Sequence, residues 1–337
     1  MRNIQLIVNE LTKSAQNKVL ATIINVEGSA YLKEGTVMAF FEDSSELGIL
    51  SGGCLENDLK ERAEHLMFKN GSTSIEYDMM AIDEFSWGQS NGCNGKITIL
   101  LEHIDKQMQN HFKKTNSYLK NGETVLLVKK ITEPGTVCSY FFVTNQKHIF
   151  GNMDESCHLP IDHWLKEQNN KLVTLDKAEK YFVQVFKPQK RIIIFGAGPD
   201  VRPLVSIAHK TGFSVIVTDW REAYCQKAFF PDADELVIDF PSSFIRKFTF
   251  SSTDSIVIMT HNFRKDQEIL TLILQQKQHY VGILGPRNRT ERLFTDAGIP
   301  KSLHSPIGIN IGAQGPEEIA VSIIAEIIEN DRKLENQ

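Results

Sequence analysis

The 337-residue sequence has little of what several function classes require. Basic charge is not in excess: 37 Lys and Arg stand against 42 Asp and Glu, a formal net charge of −5. A broad nucleic-acid surface needs a basic face, so no nucleic-acid partner is expected. Five cysteines, an odd number without paired spacing, do not form a disulfide framework. The absence of any Cys-x-x-Cys or His-x-x-x-His pair argues against a structural zinc site. No apolar run approaches the roughly 20 residues that cross a bilayer, so no membrane role is expected. The first residues, MRNIQLIVNELTKSAQ, lack the unbroken apolar stretch of a signal peptide. A cytoplasmic location with reduced thiols is the corresponding expectation. Internal repeats and low-complexity stretches are also missing.

What is present is material for well-filled cores: 41% hydrophobic and 23% charged residues, in a length typical of two domains. Ile4, Ile7, Val8 and Leu11 recur at helical spacing. Val19–Val26 reads as a strand, and Thr36–Phe41 with Leu47–Leu50 as a hairpin around Glu42–Glu46. Leu55, Leu59, Ala63 and Leu66 form a helical stripe ending near Gly71. Strand-like runs follow at Thr73–Asp78, Lys96–Leu101, Thr124–Ile131, Val137–Val143 and Tyr181–Phe186, with a helix expected around Trp164. The polar stretch Lys187-Pro188-Gln189-Lys190 marks the expected boundary between domains 1–187 and 188–337.

Beyond that boundary apolar strands alternate with helices: Arg191–Phe195, Ser214–Thr218, Glu235–Ile238, Ser255–Thr260 and Tyr280–Leu284. Near-continuous apolar strands of this kind belong to a parallel sheet covered on both faces. The expected fold class is therefore α/β: an N-terminal mixed α+β domain followed by a C-terminal Rossmann-like parallel-sheet domain. Pro316-Glu317-Glu318 opens a final helix, with proline and acids where a helix N-terminus favours them.

The sharpest local chemistry lies in RIIIFGAGPDVRPLVSIAHKTGFSVIVTDWRE. Gly196 permits a tight turn after the strand, and Gly198 lets a pyrophosphate approach the backbone at the positive end of a helix. Asp219, at the end of the next strand, is placed to bond ribose hydroxyls, and nearby Arg221 leaves NAD and NADP both open. Val201 stands at the third fingerprint position, and Pro199 removes one donor from the loop. Ligands of open α/β sheets bind at the carboxyl ends of strands. His261 with Asn262, Arg287 with Arg289, and the turn His304-Ser305-Pro306-Ile307-Gly308 all fall there. Arginines in that position suit phosphate; equally, such groups serve as solvated loop residues.

In the first half, LGILSGGCLENDLKERAE reads as strand, glycine turn and helix, with Gly52 and Gly53 leading to Cys54 at the helix entrance. A thiol there has a lowered pKa and makes a better nucleophile or soft-metal ligand. A second turn, Gly88 through Gly95, carries Cys93. Small free cysteines also fill gaps beside tight turns, and spacing alone does not choose between the two uses. Glu56 and Asp58 follow Cys54 closely and read as acids that cap the following helix or, alternatively, act on a ligand.

Taken in order, these segments resemble the XdhC/CoxI family, accessory proteins of xanthine dehydrogenase and related molybdenum hydroxylases. The resemblance rests on Gly28-Ser29-Ala30, Gly35-Thr36-Val37-Met38, Leu50 to Glu56 and Gly92-Cys93-Asn94-Gly95 in the first half. In the second it rests on Phe195 to Gly198, Phe230 to Glu235, Met259-Thr260-His261, Tyr280-Val281-Gly282, His304 to Gly308 and Pro316 to Ser322. Two positions depart from the family pattern: Asn94 replaces a usual glycine, and Pro199 a frequent histidine.

The resemblance implies a chaperone that binds molybdenum cofactor (molybdopterin) and supports its sulfuration and insertion. Its implied partners are a molybdenum hydroxylase such as xanthine dehydrogenase and a sulfur-donor desulfurase, in the setting of purine catabolism. A pterin phosphate wants amides and arginines, and a dithiolene-bound metal suits thiols. Gly52, Gly53, Gly196, Gly198, Asp219, Arg287, Arg289, His304 and Ser305 are the candidate binding residues. Cys54 and Cys93 are candidates for the molybdenum end, and, with His261, for any catalytic role. A cleft between the domains is the site expected. The alternative is an NAD(P)-dependent oxidoreductase or a xanthine dehydrogenase subunit using the Rossmann turn. A nucleotidyltransferase, with Lys33 beside Gly35, is a third reading. A homodimer paired through the strands around Thr124–Val143 is also expected.

Overall fold

A computed structural model describes residues 2–13, 15–53, 55–78, 94–132, 135–152, 159–175, 179–276, 280–294 and 298–335. Cys54, Cys93 and Cys157 lie outside the described residues. The chain divides into two compact units, Met1–Pro188 and Gln189–Gln337.

The first unit opens with helix α1 (Arg2–Lys13), which buries Ile7, Val8 and Leu11. Strands β1 (Lys18–Ser29), β2 (Val37–Phe41) and β3 (Glu46–Gly48) follow, then α2 (Glu56–Met67), β4 (Ser72–Asp78) and β5 (Asn94–His103). These strands make an antiparallel sheet in the order β3-β2-β1-β5-β4. Helix α3 (Lys106–Lys120) leads to β6 (Val125–Thr132), β7 (Thr136–Thr144), β8 (Ile149–Asn152), α4 (Ile161–Glu167), β9 (Lys171–Thr174) and β10 (Lys180–Phe186). They form a second antiparallel sheet, β8-β7-β6-β10-β9.

The period-two alternation of a strand explains the layering. Val19, Ala21 and Ile23 of β1 pack with Leu55 and with Leu59, Ala63 and Met67 of α2. Leu20, between them, points the other way and joins Val125, Leu127, Phe142 and Phe186 of the second sheet. Leu126 and Val128 turn to the far side, against Trp164 of α4. The inter-sheet layer also holds polar groups: Lys129 of β6 and Glu102 of β5 form an ion pair that is almost entirely buried.

Pairing through the strands around Thr124–Val143 has no free edge to use. Strand β6 lies between β7 and β10, and β7 between β6 and β8, so both ladders of each strand are taken within the chain. The expectation of dimerisation through these strands is therefore corrected.

The second unit contains β11 (Arg191–Phe195), α5 (Val201–Thr211), β12 (Ser214–Asp219), β13 (Glu235–Ile238), α6 (Pro241–Lys247), β14 (Ser255–Ile258), α7 (Phe263–Ile273), β15 (Tyr280–Ile283), α8 (Arg287–Phe294), β16 (Leu303–His304) and α9 (Gly315–Glu335). Its six strands are all parallel, in the order β13-β12-β11-β14-β15-β16. Numbered within the unit this is 3-2-1-4-5-6, the doubly wound Rossmann order, whose switch point falls between β11 and β14. Both faces are covered. Ile192 and Ile194 pack on Leu204 and Ala208 of α5 and Ile323 and Ile327 of α9, whereas Ile193 and Phe195 pack on Phe244 of α6 and Ile269 and Leu270 of α7. Each such side chain contributes about 1.5–3 kcal/mol by leaving water. Among the described residues, no helix is long and apolar enough to cross a membrane.

Candidate functional site

The predicted glycine turn follows β11 at the switch point. Gly196 has φ +118°, and a Cβ built there would come 2.3 Å from the Met259 carbonyl oxygen. Close approach of two backbones, and not only the turn, therefore demands glycine. The next amide, Ala197 N–H, donates to Asp219 Oδ2 at 2.8 Å.

Asp219 sits at the end of β12 as the spacing predicts, but its carboxylate is committed. Arg221 donates to Oδ1 from its backbone N–H and from Nε, each at 2.9 Å, and to Oδ2 from Nη2 at 2.7 Å. The guanidinium stacks over Trp220 and Tyr224, at 4.8 and 4.4 Å from the ring centroids. Burial alone would raise the Asp219 carboxyl, but these donors outweigh it and hold the carboxyl below its usual range. A ribose hydroxyl competes here with an Arg221 fork that the sequence did not disclose.

Gly198 faces a carboxylate of the chain itself. A Cβ at Gly198 would meet Asp200 Oδ1 at 2.4 Å, so this oxygen lies over the glycine at the start of α5. The other oxygen, Oδ2, is 2.7 Å from His261 Nε2. His261 follows β14 in a left-handed conformation, φ +56°, which a residue with a side chain adopts at a cost. Its side chain is 61% exposed. Asp200 thus lies over the glycine turn, paired with a predicted site histidine, and makes no side-chain cap bond to α5.

The neighbouring strand ends carry two more acid-held groups. Asp266, 1% exposed in α7, accepts from Thr260 Oγ1 at 2.5 Å and from Arg289 Nη2 at 2.6 Å. Arg287, by contrast, is exposed and, among the described residues, pairs with Glu291 at 3.4 Å. His304 Nδ1 lies 2.8 Å from Glu326 Oε1 of α9, with its ring stacked on Tyr280. Glu326 Oε2 accepts from the Tyr280 hydroxyl at 2.5 Å and from Gly308 N–H at 2.6 Å. Burial would raise this carboxyl, yet the bonds from His304, Tyr280 and Gly308 keep it lowered. Ser305 Oγ donates to Thr290 Oγ1 at 2.7 Å. Sequence reasoning missed Asp200, Asp266 and Glu326, the acids that hold the predicted groups. Glu326 had a visible signal, an acid beside Ile323, Ile324 and Ile327 in an otherwise apolar run.

In the first unit, Glu56 and Asp58 lie in the first turn of α2, and Glu56 Oε2 accepts from the N-cap Leu55 N–H at 3.2 Å. Glu56 also ties the preceding turn together, accepting from Ser51 N–H at 2.7 Å and Ser51 Oγ at 2.5 Å. Asp58 pairs instead with Arg62 and the Tyr77 hydroxyl. Gly53 has φ +107°, and among the described residues nothing lies within 4 Å of the positions a Cβ would take at Gly52 and Gly53. Glu56 thus pins the turn at Ser51. Cys225 is buried in the core of the second unit, where burial pushes its thiol up; Cys138 is exposed. Gly35, the centre of the nucleotidyltransferase reading, abuts Asn170, whose Nδ2 lies 2.1 Å from where its Cβ would be. Among the described residues no group of three His, Cys, Asp or Glu side chains is placed to hold a metal ion.

Three family descriptions match successive parts of the chain. They are the XdhC and CoxI family at residues 11–78, the BH1974-like central domain at 106–187 and the XdhC Rossmann domain at 192–327. A protein of Bacillus subtilis (strain 168), named as a probable xanthine dehydrogenase subunit, is 41% identical over 334 residues, 99% of each chain. The molybdenum cofactor insertion chaperone PaoD of Escherichia coli (strain K12) is 22% identical over 332 residues, 94% of this chain and 85% of that protein. A crystal structure from Bacillus halodurans, described as a xanthine dehydrogenase (BH1974), superposes with a TM-score of 0.87 at 45% identity, covering 99% of this chain and 96% of that one. Family matches in consecutive order, a full-length relative and a full-length structural neighbour agree: the chain belongs to the XdhC and CoxI family.

Proposed function

We propose that this protein binds molybdenum cofactor, protects it, and supports its sulfuration and insertion into a molybdenum hydroxylase such as xanthine dehydrogenase. The observation that carries the reading is the alignment to an insertion chaperone along 94% of the chain. The names borne by nearer relatives fit a protein that works beside such an enzyme.

The residues present fit the phosphate end of the cofactor. At the start of α5 the Asp200 carboxylate lies over Gly198 and has to swing aside for a phosphate to reach the turn. Arg289 is held in place by a buried acid. When bound, the cofactor supplies the molybdenum–dithiolene centre that the hydroxylase uses. This chain's part is to orient the phosphate with amides and Arg289 and to offer the thiols of Cys54 and Cys93 to the soft end. A desulfurase is the partner that such a role requires for sulfur.

Protein purified without oxygen from a host that makes the cofactor tests this. Molybdenum is measured by elemental analysis, pterin by fluorescence after oxidation, and NAD(H) by release from the same sample. Near-stoichiometric pterin is expected; its absence overturns the reading. Cys54→Ala and Cys93→Ala are each expected to lower retained pterin without changing thermal unfolding, and unchanged retention in both returns these thiols to packing. The strand order and the turn at Gly196 favour a second reading, an NAD(P)-dependent oxidoreductase. The capture of Asp219 by Arg221 weighs against it, and NAD(H) without pterin in the same sample would raise it to first place.

A further inference from the structure

Beside the glycine turn, the carboxyl edge of the second unit carries a separate cavity of about 480 Å³. One wall is the turn after β15, Leu284 to Pro286; the other is the 306–313 loop that leads to α9. The loop is firmly built. Ile307 N–H donates to Ile283 O, Gly308 N–H to Glu326, and Ser322 Oγ to Ile309 O at 2.6 Å. Among the described residues its lining contains no charged side chain; Asn310 and Ser322 are polar, and Ile309 and Ile311 line it while remaining 38% and 50% exposed.

A cation lies next to one lining residue. A Cβ at Gly285 would lie 3.4 Å from Arg289 Cδ and 3.7 Å from Nη1, so this guanidinium runs alongside a lining residue. Its Nη2 is fixed by buried Asp266 at 2.6 Å, which leaves the guanidinium preorganised with one edge toward Gly285. A largely apolar pocket with an anchored guanidinium next to one of its lining glycines selects a particular ligand chemistry.

We infer that this pocket is a ring site: it takes a flat, uncharged heteroaromatic ring, and Arg289 receives the anionic substituent that the ring carries. The inference rests on the cofactor-binding reading for its preference of a phosphorylated pterin. A purine nucleotide shares the same chemistry. Gly285, at φ +130°, leaves its side-chain direction to Arg289, which lies 3.4 Å from where a Cβ would be.

Fluorescence titration of the full-length protein with pterin-6-carboxylate, with uncharged 6-methylpterin and AMP as competitors, tests the site. Saturable binding of pterin-6-carboxylate is expected. Ala313→Phe, which fills the slot, and Ile309→Glu, which puts charge in its apolar wall, should each weaken it at least tenfold, with thermal unfolding confirming that both variants are folded. Arg289→Lys should weaken pterin-6-carboxylate several-fold and leave 6-methylpterin unchanged. Wild-type affinity in both wall variants overturns the ring site, as does the lack of saturable binding of either pterin-6-carboxylate or AMP. Tighter AMP than pterin, abolished by Ala313→Phe, assigns the site to a nucleotide. The cofactor reading is judged apart from this. Retained pterin in protein from the cofactor-making host, unchanged by Ala313→Phe, removes only the ring site; no retained pterin with AMP binding that is lost in Ala313→Phe removes only the cofactor reading.

Discussion

Gly196 has two independent reasons to carry no side chain: φ of +118°, and a carbonyl oxygen of the next strand where a Cβ would be. Gly196→Ala is therefore expected to destabilise the second unit by about 2–4 kcal/mol, beyond the cost of the dihedral alone. Urea unfolding of the variant measures it, and a loss under about 0.5 kcal/mol would mean that the backbones separate easily. Gly196 could be singled out from sequence because a tight turn between an apolar strand and a helix is a local demand. Asp200, one residue before α5, was not legible. Its partner His261 is far along the chain, and nothing local says that the turn is filled by its own carboxylate. The same holds for Asp219, whose position after β12 follows from spacing but whose capture by Arg221 depends on rotamers. Cys54 and Cys93, which the sequence placed beside tight turns, lie outside the described residues.

Among elements, long periodic ones were readable and short or polar ones were not. Helix α3 buries Met108, Phe112, Thr115 and Leu119, a proper helical stripe, but KQMQNHFKKTNSYLK is so polar elsewhere that its apolar signal is thin. Strand β16 is two residues long and exists only because β15 offers it a ladder. Facing elements also put Lys129 and Glu102 opposite each other inside the first unit. Removing one partner leaves a buried charge, so Lys129→Met should cost about 3–5 kcal/mol. The double variant Lys129→Met/Glu102→Leu should recover most of that loss, as chemical denaturation of the three proteins will show. Non-recovery would mean that the pair holds its surroundings by more than mutual compensation.

Helix α9 holds the loop before it through Glu326. Because this carboxyl is lowered in the folded protein, its stabilisation is complete above the unfolded carboxyl range and is lost as pH falls through the lower folded value. Glu326→Gln should cost about 1–3 kcal/mol at pH 7. The gap between wild type and variant should close as pH drops from about 5, with thermal unfolding across that range as the measurement. A gap independent of pH would detach the carboxylate from loop anchoring.

At the scale of the whole chain, the family descriptions and the cores divide it differently. The descriptions break the first unit between residues 78 and 106, yet Leu20, Val37, Ala39 and Phe41 share one core with Val125, Leu127, Phe142 and Phe186. That sharing was not legible in the sequence, because antiparallel strands carry the same alternation whichever sheet they join. Residues 189–337 alone are expected to unfold cooperatively, as are residues 1–188 alone. A fragment of residues 1–105 should aggregate or remain unfolded, since it bares one side of that layer. Circular dichroism melts of the three fragments decide this, and a cooperative melt from 1–105 would show that the sheets fold separately.

The parallel sheet of the second unit gives every strand the same direction, so its two rims differ in character. At the amino rim Arg191, at the start of β11, grips Asp254, just before β14, with two bonds at 2.8 and 2.6 Å, and Asp254 is 1% exposed. At the carboxyl rim lie Gly196, Asp219, His261, Arg289, His304 and the slot beside Gly285. One rim works as a clasp and the other as a bench. Loops on the bench can be exchanged over evolutionary time, altering what the domain holds, while the clasp keeps the strands in register.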